Sequence, residues 1–199
     1  MKGSLIIVSF FFLGMLLGWF DLFPSEINIS DWSFYALGLL MFCVGLGIGN
    51  DPQTLVKFRS LNPRFLLLPL MTAVGTLSGV ALVGVFSRHS VADCMAIGSG
   101  FGYYSLSSIF ITEYKGAELG TIALLANILR EIMALLFAPV LVAWFGKLAP
   151  ISVGGATTMD TTLPIITRFS GKEFVIVSVF HGFILDFSVP FLVTFFCSI

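Results

Sequence analysis

Five long apolar runs constrain the fold of this chain more than any other feature. They lie at about residues 3–20, 32–49, 65–86, 119–145 and 173–198. Because a helix needs about 20 apolar residues to cross a bilayer, each run predicts one spanning helix. Only 11% of the 199 residues are charged, whereas soluble domains carry roughly a quarter. The sequence therefore predicts an all-α polytopic membrane protein in which residues 1–199 form a single transmembrane domain.

Two further stretches are apolar but interrupted. Residues 91–112 contain Gly98, Gly100 and Gly102, and residues 148–168 contain two prolines, two glycines and several threonines. Bends at such residues free backbone N–H and C=O groups, which lipid cannot satisfy. We therefore predict a broken or re-entrant element in each stretch, surrounded by protein or by a wet cavity. The sequence leaves open whether these elements cross the membrane.

The basic residues of the loops predict the orientation. The loop at 50–64 carries three basic residues, whereas the loop at 21–31 carries three acidic residues and no basic one. The loop at 50–64 is therefore expected in the cytoplasm, together with the N-terminus, and the C-terminus is expected outside. If the two broken elements are re-entrant, Lys147 lies in the cytoplasm and Lys115 outside. If both elements cross the membrane, these two lysines exchange sides, so the number of basic residues on each side does not decide between re-entry and crossing.

An arginine and a glutamate stand side by side in the fourth apolar run. Arg130 and Glu131 lie about half-way along it, where each charge costs about 3 kcal/mol even on mild insertion scales. Adjacent residues point about 100° apart around a helix, so each needs its own partner. We predict that Glu131 binds a cation or a proton, that Arg130 neutralises another buried acid, and that Asn127 continues the inward-facing polar stripe. A structural ion pair between helices is the alternative.

Two more acids occupy unusual positions. Asp160 and Thr161 lie in "GGATTMDTTLP", and broken helices of transporters hold substrates and ions with such groups; helix capping is the alternative for Asp160. Asp186 lies four residues before Pro190, which frees a backbone carbonyl beside it. We predict that both acids bind substrate or protons. His181, in the same run, is a candidate proton relay, with simple packing as the alternative.

The glycine-rich bend predicts a site for an anion, in contrast to the acids, which predict sites for cations. Backbone N–H groups at a bend or at the start of a half-helix favour an anion such as a carboxylate, which suggests this role for Gly100 and Gly102. Hydroxyl-bearing side chains follow the bend, among them Tyr103, Tyr104, Ser105 and Ser108. We predict that these groups, with Thr161 and His181, line one cavity. A packed hairpin without a ligand is the alternative.

Other classes of function lack their motifs. The sequence has no His-Glu-x-x-His for zinc and no Gly-x-Gly-Asp of aspartyl intramembrane proteases. A dyad of Ser105 and His181 has nothing that marks either residue as activated. We therefore predict that the chain is not an enzyme and needs no cofactor or metal. The net charge of -1 and the lack of a basic patch give no indication of nucleic-acid binding.

Long stretches of the chain resemble a known family. The runs "GFGYYSLSSIFITEYKGAELGTIALLANILREIMALLFAPVLV", "GGATTMDTTLPII" and "FHGFILDFSVPFLVTFF" closely resemble the bacterial lysine exporter (LysO) family. The resemblance covers nearly the whole chain. It implies a transporter of the inner membrane that moves L-lysine, and analogues such as thialysine, out of the cytoplasm, with the C-terminus in the periplasm. It also implies dependence on intramembrane acids, one of which falls on Glu131.

The resemblance implies a missing part as well. Full-length members of the family carry roughly a hundred further N-terminal residues, which is room for about three spanning helices and another intramembrane acid. We therefore expect one half of a split exporter, completed by a small N-terminal membrane subunit. A noncatalytic subunit that serves only assembly is the alternative, and a homo-oligomer is compatible with the sequence. The expected coupling is antiport, in which a proton exchanges for lysine at a shared acid.

Overall fold

The computed structural model describes residues 63–199 and six earlier positions. These positions are Leu13, Leu16, Leu17, Phe20, Tyr35 and Leu39. The chain divides into two compact units, Met1–Leu46 and Gly47–Ile199. Within the first two predicted spans, only those six positions are described, and five of them are helical. The rest of both spans, and the loops at 21–31 and 50–62, lie outside the described residues.

Seven α-helices and two short 3₁₀ segments follow one another in residues 63–199. The helices are α1 (Pro63–Phe86), α2 (Val91–Gly98), α3 (Tyr104–Lys115), α4 (Ala117–Phe145), α5 (Ala149–Gly154), α6 (Leu163–Phe169) and α7 (Val175–Cys197). The 3₁₀ segments are Gly155–Met159 and Lys172–Phe174. This part of the chain contains no β-strand, as the all-α prediction requires.

Three helical segments are long and apolar enough to cross a membrane. They are α1, α4 and Lys172–Cys197, and they match the predicted spans at about 65–86, 119–145 and 173–198. Helix α4 has 29 residues, about 43 Å at 1.5 Å per residue, which exceeds the thickness of the hydrocarbon core. Both α4 and α7 continue through their internal prolines, Pro139 and Pro190.

Both predicted broken elements are present. The first, predicted at about 91–112, consists of α2 and α3, which are separated by turns at residues 99–103. The second, predicted at about 148–168, consists of α5, the 3₁₀ segment Gly155–Met159 and α6. We call residues 99–103 the first tip and residues 154–162 the second tip.

The first broken element folds back on itself. Asp93, in the first turn of α2, forms an ion pair of 3.4 Å with Lys115, the last residue of α3. Hydrogen bonding to Ser90, and then the ammonium group of Lys115, hold the pKa of the Asp93 carboxyl below its usual range. The ionised form that pairs with Lys115 is therefore favoured. Residues 91–115 form a helical hairpin, called here the first hairpin.

The second broken element also returns to the end at which it began. Lys147, just before α5, binds Glu173, just after α6, at 3.0 Å. The same ammonium group lies 5.6 Å from the ring centre of Phe174. Residues 147–173 are therefore the second hairpin. Because Lys115 precedes α4 and Lys147 follows it, the two hairpins begin at opposite ends of α4.

An apolar cluster holds the second hairpin against the long helices. Ile151 of α5, Ile166 of α6 and Val177 of α7 are at most 2% exposed and pack together. Because lipid tails are as apolar as these side chains, close packing rather than removal from water holds such helices together in a membrane. Four partly buried residues surround the cluster: Phe65, Leu68, Leu148 and Phe174.

Helix α7 approaches the second tip closely at a glycine. A Cβ atom on Gly182 would lie 2.7 Å from the backbone nitrogen of Met159 and 2.9 Å from the carbonyl oxygen of Ala156. Only a glycine leaves room for this approach. The contact fixes the second tip against the helix that carries His181 and Asp186.

Candidate functional site

The two hairpin tips meet inside the helical unit. The carbonyl oxygen of Phe101, in the first tip, accepts a hydrogen bond of 2.8 Å from the N–H of Ala156 in the second tip. Gly155 has φ +65°, and a Cβ atom there would overlap the carbonyl oxygen of Phe101. Phe101 itself has φ +46°, which is uncommon for a residue with a side chain. The backbone is therefore irregular on both sides of this contact.

Asn127 of α4 clamps the first tip. Its Oδ1 accepts from the N–H of Gly102 at 2.8 Å, and its Nδ2 donates to the carbonyls of Ile97 at 3.1 Å and Ala123 at 2.9 Å. The side chain is 3% exposed, as the inward-facing polar stripe predicts. Because both amide hydrogens and the carbonyl oxygen are engaged, Asn127 positions the tip rather than offering free groups to a ligand.

The backbone donors of the first tip are also engaged. The N–H groups of Gly100, Phe101 and Tyr103 donate to the carbonyls of Ile97, Gly98 and Gly100. The N–H of Gly102 donates to Asn127. The prediction that Gly100 and Gly102 offer free N–H groups to a carboxylate is therefore wrong. The tip satisfies its own backbone because buried N–H groups without a partner are costly.

Arg130 binds the end of a helix rather than an acid. Its Nε donates to the carbonyl of Val153 at 2.8 Å and its Nη2 to the carbonyl of Ser152 at 3.0 Å, near the C-terminus of α5. Such carbonyls lack partners within their own helix and carry partial negative charge. Among the described residues no carboxylate lies within 4.0 Å of the guanidinium. The predicted acidic partner of Arg130 is therefore not found among residues 63–199, and it stays a prediction for the rest of the chain.

A cavity of about 470 Å³ lies beside this guanidinium. Its lining combines the inner part of α1, Arg130 and the last turn of α5: Met71, Thr72, Gly75, Thr76, Arg130, Ser152 and Val153. The volume falls in the range of about 300–1,000 Å³ that is common for small-molecule sites. We call it the Arg130 cavity.

Glu131 lies on the inward side of α4. The buried residues of this helix form one stripe: Gly120, Ala123, Asn127, Ala134 and Ala138. Glu131 follows Asn127 by four residues and precedes Ala134 by three, so it falls within the same face. Its side chain is half-buried. In residues 63–199 its carboxylate has no recorded hydrogen bond or ion pair with another described residue.

Asp186 is a buried acid of α7. It is 6% exposed, and among the described residues no hydrogen bond or ion pair to its carboxylate is found. Asp160, in the second tip, lies within electrostatic range of Asp186, and Tyr103 of the first tip lies within range of both carboxylates. The structure thus brings three of the predicted residues together. We call Tyr103, Asp160 and Asp186 the acidic cluster.

Asp160 forms the exposed side of the acidic cluster. Its Oδ1 accepts a hydrogen bond of 2.5 Å from the N–H of Thr161, which is also exposed. Asp160 is not the N-cap of α6, which is Thr162. It instead occupies the C-cap position of the 3₁₀ segment Gly155–Met159, where its N–H donates to the carbonyl of Thr157. Asp160 is therefore exposed at the surface of the fold, whereas Asp186 is buried.

His181 is fully buried in a hydrogen-bonded chain. Its Nε2 lies 3.0 Å from the hydroxyl of Thr72, and its Nδ1 lies 3.3 Å from the hydroxyl of Thr158. Thr158 has a single hydroxyl hydrogen and two carbonyl acceptors, Gly155 at 2.8 Å and Ser178 at 2.9 Å. Its oxygen is therefore free to accept from Nδ1–H of the neutral ring, and Nε2 then accepts from Thr72. This chain connects α1, the second tip and α7.

The remaining predicted residues lie apart from these groups. Ser105 is exposed, and the hydroxyl of Ser108 points back to its own helix, 3.5 Å from the carbonyl of Ser105. Neither is bonded to His181, whose two ring nitrogens face threonines. In the described part of the chain, no three His, Cys, Asp or Glu side chains are arranged to hold a metal ion.

Sequence reasoning missed the hydroxyls that organise the site. Thr72, Thr76 and Thr158 contact His181 or Arg130, and Ser107, fully buried, donates to the carbonyl of Tyr103 at 2.8 Å. A single hydroxyl in an apolar run carries little signal. The spacing of four between Thr72 and Thr76, which places both on one helix face, was the available indication.

Comparison with known proteins gives consistent results. The family described as lysine exporter LysO matches residues 8–197. The chain is 36% identical over 171 residues to "Lysine exporter LysO" of Escherichia coli K12, a match that covers 86% of this chain and 56% of that protein. It is 32% identical over 196 residues to the "Putative lysine exporter" of Haemophilus influenzae, covering 96% of this chain and 97% of the relative.

The chain thus spans little more than half the length of the Escherichia coli relative and nearly all of the Haemophilus influenzae one. No solved structure matches it. The family match extends over both hairpins and all three long helices. Together with the apolar helices, these matches establish that the chain belongs to the lysine exporter LysO family, integral membrane proteins of the bacterial inner membrane.

Proposed function

We propose that this chain exports L-lysine, and analogues such as thialysine, across the inner membrane in exchange for protons, with residues 1–199 acting as one transporter domain. The observation that carries the proposal is Asp186, a buried carboxylate one helical turn beyond Gly182, which contacts the second tip. In many transporters, discontinuous helices that meet near the middle of the bilayer form the substrate and ion sites. Membership of the lysine exporter family supports lysine as the substrate.

The acidic cluster suits a cationic substrate. Lysine carries two ammonium groups, and each is attracted by a carboxylate in a site of low dielectric constant. Asp160 is exposed and Asp186 is buried, so an ammonium group would meet Asp160 first. An ionised acid that is buried without a partner is costly. Asp186 therefore alternates between a bound proton and a bound ammonium group, and this competition couples the two fluxes.

Glu131 is the second acidic centre of the proposal. It lies one turn beyond Asn127, which holds the first tip, and its carboxylate has no hydrogen bond or ion pair with described residues. An intramembrane acid of this kind is a functional candidate by default. We assign it a proton or an ammonium group of the substrate.

The proposed topology makes both hairpins re-entrant. Each hairpin is closed by an ion pair at its base, Asp93–Lys115 in the first and Lys147–Glu173 in the second. The first then enters from the periplasm and the second from the cytoplasm, with their tips meeting between the two surfaces. Together with two earlier spans, this gives five crossings, a cytoplasmic N-terminus and a periplasmic C-terminus.

The test is uptake of radiolabelled lysine into inverted vesicles with an acidic lumen. Protons leaving the lumen should drive lysine inward if the exchange is correct. The assay is run with this chain alone and with a co-produced N-terminal membrane subunit, because the Escherichia coli relative extends well beyond the matched region. If the inserted protein moves no lysine in either preparation, lysine is not the substrate.

A matched pair of variants tests the role of Glu131. Glu131→Gln should abolish uptake, whereas Glu118→Gln, which changes an exposed glutamate in the first turn of the same helix, should leave it unchanged. Both proteins are compared at equal amounts in the membrane. Normal uptake by Glu131→Gln would remove this residue from the mechanism while leaving the lysine assignment intact.

A further inference from the structure

Arg130 retains hydrogen-bonding capacity toward the Arg130 cavity. A guanidinium group has five N–H donors. Three of them are used by the carbonyls of Val153 and Ser152 and, at 3.3 Å, by the hydroxyl of Thr76. One N–H therefore remains on each terminal nitrogen. Two donors on the adjacent terminal nitrogens are thus available for the two oxygens of a carboxylate.

The charge of Arg130 also lacks a full counterpart. Its partners among the described residues are neutral carbonyl and hydroxyl groups, and no carboxylate of this part of the chain lies within 4.0 Å. The partial charge at a helix C-terminus offsets only about half an elementary charge. A cation within a membrane normally pairs with another group or lines a substrate path. An anionic ligand would neutralise the remaining positive charge of Arg130.

The space beside Arg130 is open to such a ligand. The cavity measures about 470 Å³, and a Cβ atom on Gly75 in its wall would meet nothing within 4 Å. Arg130 itself is fixed by three hydrogen bonds and by the ring of Phe101, whose centre lies 5.8 Å from the guanidinium carbon. A group held in this way is already oriented before a ligand arrives, which limits the entropic cost of binding.

We propose that Arg130 is the carboxylate-recognition residue of the exporter and that it selects α-amino acids over diamines of the same length. The assignment rests on the proposed function, since it divides lysine recognition between acids that bind the ammonium groups and one arginine that binds the carboxylate. Acids alone would accept cadaverine, which is lysine without its carboxylate, because it keeps two ammonium groups. An arginine is suited to the planar carboxylate, which a lysine side chain would hold less specifically.

The wild-type protein provides the first test. Ligand-induced thermal stabilisation of the purified full chain is titrated with L-lysine, L-lysinamide and cadaverine, the last two lacking the carboxylate charge. Lysine should bind about tenfold or more tightly than either analogue, as expected for a hydrogen-bonded charged contact. If lysinamide binds as tightly as lysine, the proposal is overturned. If no ligand, lysine included, binds to the folded protein, either alone or with the co-produced N-terminal subunit, the proposed function itself fails.

Variants separate recognition from structure. In Arg130→Gln, lysine affinity should fall to that of lysinamide, while the affinity for lysinamide stays within about twofold of the wild-type value. Equal losses for both ligands would show that Arg130 only holds α5 in place. Arg168→Gln, which removes an exposed arginine stacked on Phe169, is the matched control and should preserve the preference for lysine.

A second substitution covers the case in which Arg130→Gln does not fold. Arg130→Lys keeps the positive charge but loses the planar fork of donors. It should retain part of the preference for lysine over lysinamide, between the wild-type ratio and unity. An Arg130→Lys protein with the full wild-type ratio would contradict bidentate recognition.

Discussion

Asn127 holds the first tip through a hydrogen bond of 2.8 Å from the N–H of Gly102 to its Oδ1. Arg130, three residues later on α4, holds the end of α5 through the carbonyls of Ser152 and Val153. One turn of a long helix therefore supports both broken elements. Since the tips also bond directly to each other, a displacement of this turn would move both sides of the candidate site.

Replacing Asn127 should weaken the fold. Asn127→Ala leaves the N–H of Gly102 without a partner, and a buried donor in this state costs about 1–3 kcal/mol. The carbonyl of Ile97 also loses one donor but keeps its hydrogen bond from the N–H of Gly100. The midpoint of thermal unfolding in detergent should fall clearly below that of the wild type. Thr121→Ala, on the exposed face of the same helix, is the control and should change stability by no more than about 0.5 kcal/mol. Equal midpoints for the two variants would contradict the clamp.

Gly155 should tolerate no side chain. Its φ of +65° disfavours alanine, and a Cβ atom would also overlap the carbonyl oxygen of Phe101. Gly146 also has a positive φ, +87°, but a Cβ atom there would meet nothing within 4 Å. Gly146→Ala is therefore the control that measures the cost of backbone strain alone, which is about 1–3 kcal/mol of stability. In thermal unfolding, Gly155→Ala should therefore be less stable than Gly146→Ala, and in the vesicle assay it should lose lysine uptake. Similar behaviour of the two variants would mean that the tips do not meet as described.

Hydropathy predicted the long helices and both breaks because lipid imposes simple rules. Apolar runs of sufficient length must be helical, and glycine or proline within them needs protein around the freed backbone groups. The sequence left open whether each broken element returns or crosses, because the approach of Lys115 to Asp93 and of Lys147 to Glu173 depends on the path of the chain in space. Nothing in the local sequence reports such pairs.

The candidate site was predictable in its acids and much less so in their partners. The cost of intramembrane charge identified Glu131, Asp160 and Asp186, and the structure places the two aspartates together. The partners of Arg130 are backbone carbonyls, which every residue possesses and which therefore leave no pattern. The same holds for the glycine-rich tip, whose donors are consumed by Asn127 and by nearby carbonyls.

Removing the charge of Asp186 should impair transport without lowering the stability of the fold. Asp186→Asn eliminates a carboxylate that is 6% exposed and costly to keep ionised, so the unfolding midpoint should stay the same or rise. Lysine uptake should fall about tenfold or more, as for a residue that carries both proton and substrate. Asp93→Asn is the contrasting variant, because it breaks the ion pair with Lys115 and should lower stability slightly while uptake continues. A loss of stability with normal uptake in Asp186→Asn would assign this acid to the fold.

The re-entrant topology predicts which side of the membrane each hairpin base occupies. Lys115 belongs to the base of the first hairpin and Lys147 to that of the second. With native cysteines replaced, a cysteine at position 115 should react with an impermeant maleimide added to intact cells whose outer membrane is permeable, since it faces the periplasm. A cysteine at 147 should react only after the inner membrane is opened. Reversed labelling of the two positions would mean that both broken elements cross the bilayer, because only the crossing arrangement exchanges the sides of Lys115 and Lys147 while the N-terminus stays in the cytoplasm.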